Sequence, residues 1–216
     1  MSVKDKLTNF KSNIPDTVKM VAVSKTKPAE MIELAHQSGH LDYGENKAQE
    51  MQAKAEELPK DIRWHFIGHL QRNKVKYIAP HVHLIHSVDS PRLLREINKR
   101  AGNEDRQIEV LLQVYIAKEE SKYGLDEEEV LEILESEDFK TFENVKVVGL
   151  MGMATFTENK ETVRREFKSL KAFYDQHKDK YGFHILSMGM TNDYEIAIEE
   201  GSNMLRIGSA IFGPRD

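Results

Sequence analysis

Apolar runs of strand length alternate with amphipathic stretches of helix length along this 216-residue chain. Eight runs have the length and composition of strands: Met20–Lys25, Leu41–Gly44, His65–Gly68, Leu84–Val88, Val110–Ile116, Val147–Met153, His184–Met188 and Met204–Ile207. Helical patterns lie at Val3–Asn13, before the first strand, and then between strands at Ala29–Ser38, Lys47–Glu57, Arg72–Ala79, Pro91–Ala101, Asp126–Glu135, Lys160–Lys180 and Asp193–Glu200. Such alternation predicts parallel strands joined by right-handed crossovers.

Eight strand–helix units predict a (β/α)8 barrel of the TIM type, formed by a single α/β domain over residues 1–216 with an extra N-terminal helix. The chain is shorter than the ~250 residues typical of that fold, so short loops and a minimal last helix are expected. A doubly wound open sheet, with helices on both faces, is the alternative. No linker, low-complexity segment or short repeat marks a domain boundary.

Composition excludes several classes of function. The chain has no cysteine, which rules out disulfides, thiolate zinc sites and cysteine nucleophiles. Its formal net charge is -5 without a basic or acidic block, so nucleic acid is not an expected partner. No signal-like segment opens the chain, and no apolar run approaches the ~20 residues that span a bilayer. We therefore expect a cytoplasmic protein that does not bind membranes. No helical pattern shows a large exposed apolar face, so a monomer is expected.

A lysine ends the first predicted strand. Val21, Val23 and Lys25 share one strand face, because strand side chains alternate with period two. Ligands of a (β/α)8 barrel bind where the strands end, and a partly dehydrated lysine there loses its proton more readily. A neutral amine can attack an aldehyde and form a Schiff base. The plainer alternative is that Lys25 marks the strand end and points to water.

Glycine and serine follow the last two predicted strands, where this fold often binds phosphate. Gly208 lets the backbone approach an anion and Ser209 adds a hydroxyl donor, while Ser187 and Gly189 can form the opposite wall. The alternative is that both glycines merely permit tight turns. Arg206 lies inside an apolar strand, so its guanidinium must pair with a structural acid or face a ligand.

The histidines do not predict a metal site. His81, His83 and His86 are close in sequence, and His65 and His69 are four apart, but neither set has the helix-face spacing of a metal motif with a carboxylate. His65 is expected to pack or hydrogen-bond inside the barrel.

Several segments, taken in combination, resemble the pyridoxal 5'-phosphate homeostasis protein family, which is similar to the N-terminal barrel domain of alanine racemase. The matching segments run in order from residue 22 to residue 213: Ala22-Val23-Ser24-Lys25-Thr26-Lys27-Pro28, Gly44-Glu45-Asn46, Trp64-His65-Phe66-Ile67-Gly68-His69-Leu70-Gln71-Arg72-Asn73-Lys74, His86-Ser87-Val88-Asp89, Gly149-Leu150-Met151, Leu186-Ser187-Met188-Gly189-Met190 and Arg206-Ile207-Gly208-Ser209-Ala210-Ile211-Phe212-Gly213. Each segment alone is weak, but the combination is highly specific.

The resemblance implies a pyridoxal 5'-phosphate site in which Lys25 is the Schiff-base lysine. It assigns eight residues to the cofactor: Lys25, Asn46, Met151, Ser187, Met188, Arg206, Gly208 and Ser209. Among these, Ser187, Gly208 and Ser209 are expected to hold the phosphate, Asn46 to line the ring, and Arg206 to face the pyridine nitrogen. A cation there disfavours protonation of the ring, which makes the cofactor a weak electron sink.

Two positions depart from the family's pattern. Tyr115 follows Gln113-Val114 where asparagine is usual, and Thr191 follows Met190 where serine is common. Because of the first departure, the resemblance does not predict the details of the rim at strand five. The second departure keeps a hydroxyl, since threonine carries one as serine does.

The implied function is a cofactor carrier without catalytic residues, holding pyridoxal 5'-phosphate as an internal aldimine and buffering it or delivering it to apo-enzymes. Related racemases use a second domain, for which no room is expected after Asp216. One alternative is a small pyridoxal-phosphate-dependent amino-acid racemase with Lys25 as its base. Another is a barrel that binds a different phosphorylated ligand, with Lys25 as a charge partner.

Overall fold

A computed structural model describes residues 2–117 and 123–213 of the chain. In these ranges eight parallel strands close into a barrel in chain order, and the last strand pairs with the first. The strands are β1 (Lys19–Val23), β2 (Asp42–Glu45), β3 (Arg63–Phe66), β4 (Val82–Val88), β5 (Ile108–Val114), β6 (Val145–Gly152), β7 (Ile185–Met190) and β8 (Met204–Ile207). The predicted (β/α)8 barrel is confirmed, and the open sheet is wrong because β8 pairs with β1.

Helices precede β1 and connect the strands around the outside of the barrel. They are α1 (Val3–Ser12), α2 (Ala29–His36), α3 (Ala48–Glu57), a 3-10 turn (Arg72–Lys74) leading into α4 (Val75–Ile78), α5 (Pro91–Asn103), α6 (Glu127–Glu135), α7 (Glu137–Lys140), α8 (Lys160–Tyr181), α9 (Tyr194–Glu199) and α10 (Ser209–Phe212). The last helix has four residues, as small as the chain length predicts.

Side-chain caps explain where several helices begin. The Asp126 carboxylate accepts from the Glu129 backbone N–H at 2.8 Å and the Glu129 carboxylate accepts from the Asp126 N–H, which forms a capping box at α6. Ser90 caps α5 just before Pro91. Helix α7 is absent from the sequence-based prediction; the Ser136 hydroxyl accepts from the Phe139 N–H and starts this new turn directly after α6.

Six of the eight strand ends differ from their predicted positions by one or two residues, and those of β1 and β7 bear on the site. Strand pairing in β1 ends at Val23, and Thr26 takes a φ of 65°, which turns the chain sharply beyond Lys25. Strand β7 continues to Met190, two residues past its predicted end. At β7, the residues that lie at the C-terminal end of the barrel therefore come about two positions later in sequence than the apolar pattern predicts.

The core has two layers. Most buried apolar side chains pack between strands and helices, while a smaller cluster fills part of the barrel interior: Val21, Leu84, Leu111, Val148, Met151, Ile185 and Met204. The inward positions of β2, β3, β4, β7 and β8 also carry buried polar groups. Within residues 2–117 and 123–213, no helix combines the length and apolar character needed to cross a membrane.

Candidate functional site

An open pocket of about 920 Å³ lies at the C-terminal end of the barrel. Its walls come from the residues at or after the ends of β1, β2, β3, β6, β7 and β8. It brings together five of the eight residues that the sequence assigns to a cofactor: Lys25, Asn46, Arg206, Gly208 and Ser209. Parallel strands converge at this end, so residues far apart in sequence become neighbours around one cavity.

The pocket lining is richer in cations than in anions. Four basic side chains line it, namely Lys25, Lys27, Lys160 and Arg206, against the two carboxylates of Glu158 and Asp193. An excess of positive charge in a concave site favours an anionic ligand. In the described part of the chain, no group of three or more histidine, aspartate and glutamate side chains is arranged to hold a metal ion.

Lys25 is half-buried and lies two residues beyond the end of β1. The loop that carries it is fixed on both sides. Before it, the Ser24 hydroxyl donates to Glu45 Oε1 at 2.6 Å, and after it the Thr26 N–H donates to Glu50 Oε1 at 2.6 Å. A β-branched residue at positive φ is strained, so Thr26 depends on these surroundings to keep its conformation.

Lys54 connects those anchors. This buried lysine of α3 donates from Nζ to Ser24 O at 2.9 Å, to Glu45 Oε1 at 2.8 Å and to Glu50 Oε1 at 2.8 Å. The three bonds match the three N–H groups of an ammonium. Lys54 is not among the residues predicted from sequence, although its place on the same helix face as Met51 and Ala55 marks it as a buried position.

Glu45 is fully buried beneath the Lys25 loop. Burial raises its pKa to about 7, although Lys54 and Ser24 act in the opposite direction. Its Oε2 atom is buried without a hydrogen-bond partner among the described residues. The carboxyl therefore titrates near neutral pH, directly behind the loop that presents the lysine.

Asn46 is one of the residues that line the pocket. Its Oδ1 atom is buried and lacks a hydrogen-bond partner in the described ranges. Gly68 makes this position possible, because a Cβ at residue 68 would lie 2.4 Å from the Asn46 carbonyl oxygen. A buried amide oxygen without a hydrogen-bond partner, in a residue that lines a cavity, is the kind of acceptor to which a polar ligand can donate.

Arg206 lies at the floor of the pocket and is buried. Its Nη1 donates to the backbone oxygen of Ser187 at 2.9 Å and to the Ser187 hydroxyl at 2.6 Å, and its Nη2 donates to Gly152 O at 3.0 Å. Burial lowers its pKa to about 10, while the Asp193 carboxylate acts in the opposite direction. The guanidinium is thus a fixed cation at neutral pH, held in place by these three neutral acceptors.

The structure does not bring the other three assigned residues, Met151, Ser187 and Met188, to the pocket. Met151 packs inside the barrel below it, and Met188 faces the helices. The Ser187 hydroxyl lies beneath Arg206 and is fully buried. The late end of β7 is the reason, because Met190 and Thr191 occupy the level at which the apolar pattern placed Ser187.

The wall at β7 therefore belongs to residues 190–193. The Met190 N–H donates to the Asp193 carboxylate at 2.5 Å, which fixes the turn. Gly189 has a φ of +98°, and a Cβ there would lie 2.5 Å from Ala197 Cβ. That glycine is required by the packing of α9, whereas Thr191, at the position that departs from serine, lines the cavity.

The rim at β5 lies apart from this cavity. Tyr115 is exposed and does not belong to the described lining of the pocket, so the departure from asparagine leaves the pocket walls unchanged. Nearby, the His69 ring stacks on Tyr123 with ring centroids 4.0 Å apart and lies 3.3 Å from the Asp89 carboxylate.

Comparison with known proteins gives a consistent picture across nearly the whole chain. Residues 2–216 match the family model described as alanine racemase, N-terminal domain. A pyridoxal phosphate homeostasis protein of Aquifex aeolicus is 44% identical over 202 residues, which cover 91% of this chain and 87% of that protein. One from Vibrio alginolyticus is 38% identical over 208 residues, covering 94% and 88% of the two chains.

A solved structure adds a ligand to the comparison. The chain is similar to PipY of Synechococcus elongatus PCC7942 with PLP bound, with a TM-score of 0.88 and 32% identity, over 98% of this chain and 100% of that one.

Proposed function

The chain belongs to the family of pyridoxal phosphate homeostasis proteins, and from that premise we propose that it binds pyridoxal 5'-phosphate in the pocket above β1 and β8 and holds it for other proteins. The observation that carries the proposal is the meeting of Lys25, Arg206 and the Gly208-Ser209 turn around one cavity. These supply an amine for an aldehyde, a cation for a ring nitrogen and donors for a phosphate. When bound, the cofactor supplies an electrophilic aldehyde and an aromatic ring that can accept electrons.

Lys25 is proposed as the residue that attaches the cofactor. Its amine nitrogen adds to the aldehyde carbon, and the carbonyl oxygen leaves as water, which gives a Schiff base. The hydrogen bonds of Lys54, Glu45 and Glu50 to the neighbouring residues fix where this amine enters the pocket. Such fixation lowers the entropic cost of forming the bond.

Arg206 is proposed to donate a hydrogen bond to the pyridine nitrogen. Its hydrogen bonds to Ser187 and Gly152 use three of the five N–H groups of a guanidinium. A permanent donor cannot accept a proton from the ring, and its charge disfavours ring protonation. The cofactor then stabilises a carbanion poorly, which suits storage better than catalysis.

The phosphate is proposed to lie between the turns after β7 and β8. Gly208 and Ser209 form one side, with Ser209 exposed to the cavity, and Thr191 forms the other. A Cβ on Gly208 would meet its nearest neighbour, Val23, at 3.4 Å, so the turn itself is not crowded. Asn46 completes the lining of the site, with a buried amide oxygen that has no hydrogen-bond partner among the described residues. Ser187, Met151 and Met188 are proposed to act indirectly, by supporting Arg206 and the pocket floor.

A racemase is the alternative function, and the pocket gives it less support. Racemisation needs a proton-transfer group on each face of the substrate, and Lys25 supplies one. The described lining of the pocket includes no histidine or tyrosine that would face it from the other side. We therefore favour a carrier that buffers pyridoxal 5'-phosphate or delivers it to apo-enzymes.

A transfer experiment tests the carrier. The protein is loaded with pyridoxal 5'-phosphate, freed of unbound cofactor by gel filtration, and mixed with an apo-enzyme that requires it. Recovery of that enzyme's activity, together with racemase turnover far below ~1 s⁻¹ on a panel of amino acids, is the expected result. Racemase turnover at or above that rate, or a loaded protein that never activates the apo-enzyme, contradicts the proposal.

A further inference from the structure

A chain of hydrogen bonds crosses the barrel interior from the pocket floor towards the opposite end. Arg206 Nη1 lies 2.6 Å from Ser187 Oγ, which lies 3.0 Å from His86 Nδ1. His86 Nε2 lies 2.9 Å from His65 Nδ1, and His65 Nε2 lies 3.0 Å from Asp42 Oδ1. All five residues are buried, and β5 and β6 stand between the strands that carry His86 and Ser187. The chain therefore runs through the interior of the barrel and not along its wall.

The Asp42 end of the hydrogen-bond chain determines which atom donates and which accepts in each bond. Burial alone would raise the pKa of Asp42, but hydrogen bonds from His65 and Arg63 hold it well below its usual range. An ionised carboxylate only accepts, so His65 Nε2 must carry the hydrogen. Burial lowers the pKa of His65, and the bond to Asp42 only partly offsets this, so the ring is neutral and its Nδ1 is an acceptor.

The remaining hydrogens follow one by one. Burial, together with the neighbouring His65 and Arg206, places the pKa of His86 well below its usual value, so this ring is also neutral. His86 Nε2 then donates to His65, which leaves His86 Nδ1 to accept from the Ser187 hydroxyl. The Ser187 oxygen in turn accepts from Arg206. One arrangement of hydrogens satisfies every link.

We infer that Ser187, His86, His65 and Asp42 are positioning residues that hold Arg206 as a hydrogen-bond donor at the floor of the pocket. The inference rests on the proposed function for its consequence, which is an unprotonated cofactor ring. A carboxylate beside Arg206 would attract a proton to this region, whereas a neutral hydroxyl backed by two neutral imidazoles directs the guanidinium without cancelling its charge. The only carboxylate in this hydrogen-bond chain is that of Asp42. It lies at the end farthest from Arg206, where it pairs with the Arg63 guanidinium.

Other charged and titratable groups face this chain and bear on any pH measurement. His83 contacts the His65 ring with centroids 5.6 Å apart, and Lys19 and Arg63 add positive potential near it. Asp193 acts on Arg206 from the turn after β7. The cations all oppose a positive charge on the imidazoles, while Asp42 favours one on His65 without reversing the effect of burial, so the pKa of each ring lies below that of an exposed histidine.

Nitrogen-15 NMR of the histidine rings tests the chain in the protein without cofactor. Long-range nitrogen–proton spectra, assigned with His65→Asn and His86→Asn, should show both rings as neutral Nε2–H tautomers that do not titrate near about 6.5. A Nδ1–H tautomer at either ring, or titration of either near that pH, overturns the inference. This result does not depend on cofactor binding, so it separates failure here from failure of the proposed function.

The effect on the bound cofactor is tested with Ser187→Ala and His86→Phe. Each should weaken retention of pyridoxal 5'-phosphate about tenfold and shift the pH midpoint of its visible band, because a charge-assisted bond is lost or misdirected. Ser187→Thr keeps the hydroxyl and should restore the wild-type midpoint. Leu111→Val is the matched control, since it trims an apolar side chain of the same interior cluster on β5, a strand that carries none of these five residues. Unchanged midpoints in Ser187→Ala and His86→Phe, or an equal shift in Leu111→Val, overturn the inference.

Discussion

Lys54 Nζ lies 2.9 Å from the backbone oxygen of Ser24, the residue directly before Lys25. The same ammonium bonds to Glu45 and Glu50, so one buried lysine of α3 fixes the loop that presents another lysine to the pocket. The arrangement separates two tasks, because Lys54 carries the structural bonds while Lys25 lines the cavity.

Replacement of Lys54 by methionine should therefore destabilise the protein. It leaves the Glu45 carboxylate buried without its cation, and we expect the free energy of unfolding at pH 8 to fall by about 3 kcal/mol. Denaturant unfolding measures the loss. Lys47→Met, at the exposed start of the same helix, should change stability by less than about 0.5 kcal/mol. Equal losses in the two variants would show that Lys54 does not hold the loop.

The raised pKa of Glu45 predicts an unusual pH dependence. Because its folded pKa of about 7 lies above the ordinary value of 4.5, the folded protein binds the proton more tightly than the unfolded chain. That stabilisation is complete below pH 4.5 and is lost as pH rises through 7. Relative to Glu45→Gln, the wild type should lose on the order of 1–3 kcal/mol across this window. Denaturant unfolding at a series of pH values measures the difference, and one that stays constant or grows with pH contradicts the assignment.

Alanine substitutions at two glycines with positive φ distinguish the cost of backbone strain from the cost of steric crowding. Gly182 has a φ of +71°, and a Cβ added there would have no atom within 4 Å, whereas a Cβ on Gly189, at +98°, would meet Ala197 at 2.5 Å. Gly182→Ala should cost about 1 kcal/mol from strain alone, and Gly189→Ala on the order of 3 kcal/mol. Thermal unfolding of both variants provides the comparison. If Gly189→Ala destabilised the protein no more than Gly182→Ala, the result would contradict the close packing of α9 on β7.

The proposed phosphate contact of Ser209 can be isolated by varying the ligand. Ser209→Ala should weaken binding of pyridoxal 5'-phosphate about tenfold, since a hydroxyl donor to a charged group is lost. Binding of pyridoxal, which lacks the phosphate, should be unchanged. Equilibrium titration of both ligands against both proteins gives the ratio. An equal loss for the two ligands would place Ser209 away from the phosphate.

The fold could be predicted from sequence because each strand–helix unit carries its own local pattern. Lys25 and Arg206 could be located for a related reason: a charge in an apolar strand is conspicuous, and the alternation of side chains gives its direction. The role of Lys54 is not predicted by the sequence, although its helix face marks it as buried. Its role depends on Glu45 and Ser24, which belong to other elements of the fold.

Two further features of the site could not be predicted from sequence, for different physical reasons. The apolar pattern predicts that β7 ends at Met188, but the strand continues to Met190, and the Ser187 hydroxyl lies buried below the pocket. The contact of His86 with Ser187 joins residues 101 positions apart across the barrel, and no local pattern records such a pair. Closure of the barrel creates that contact.

Mapping the site of attachment tests whether the cofactor is bound through Lys25. Wild type, Lys25→Ala and Lys27→Ala are incubated with pyridoxal 5'-phosphate, reduced with borohydride, digested and analysed by mass spectrometry. Lys27 is the matched control, because it lines the same pocket two residues away. We expect a reduced adduct on Lys25 in wild type and in Lys27→Ala, and no adduct at this site in Lys25→Ala. An adduct on Lys27 or Lys160 in the wild type, or no adduct at all, would contradict attachment at Lys25.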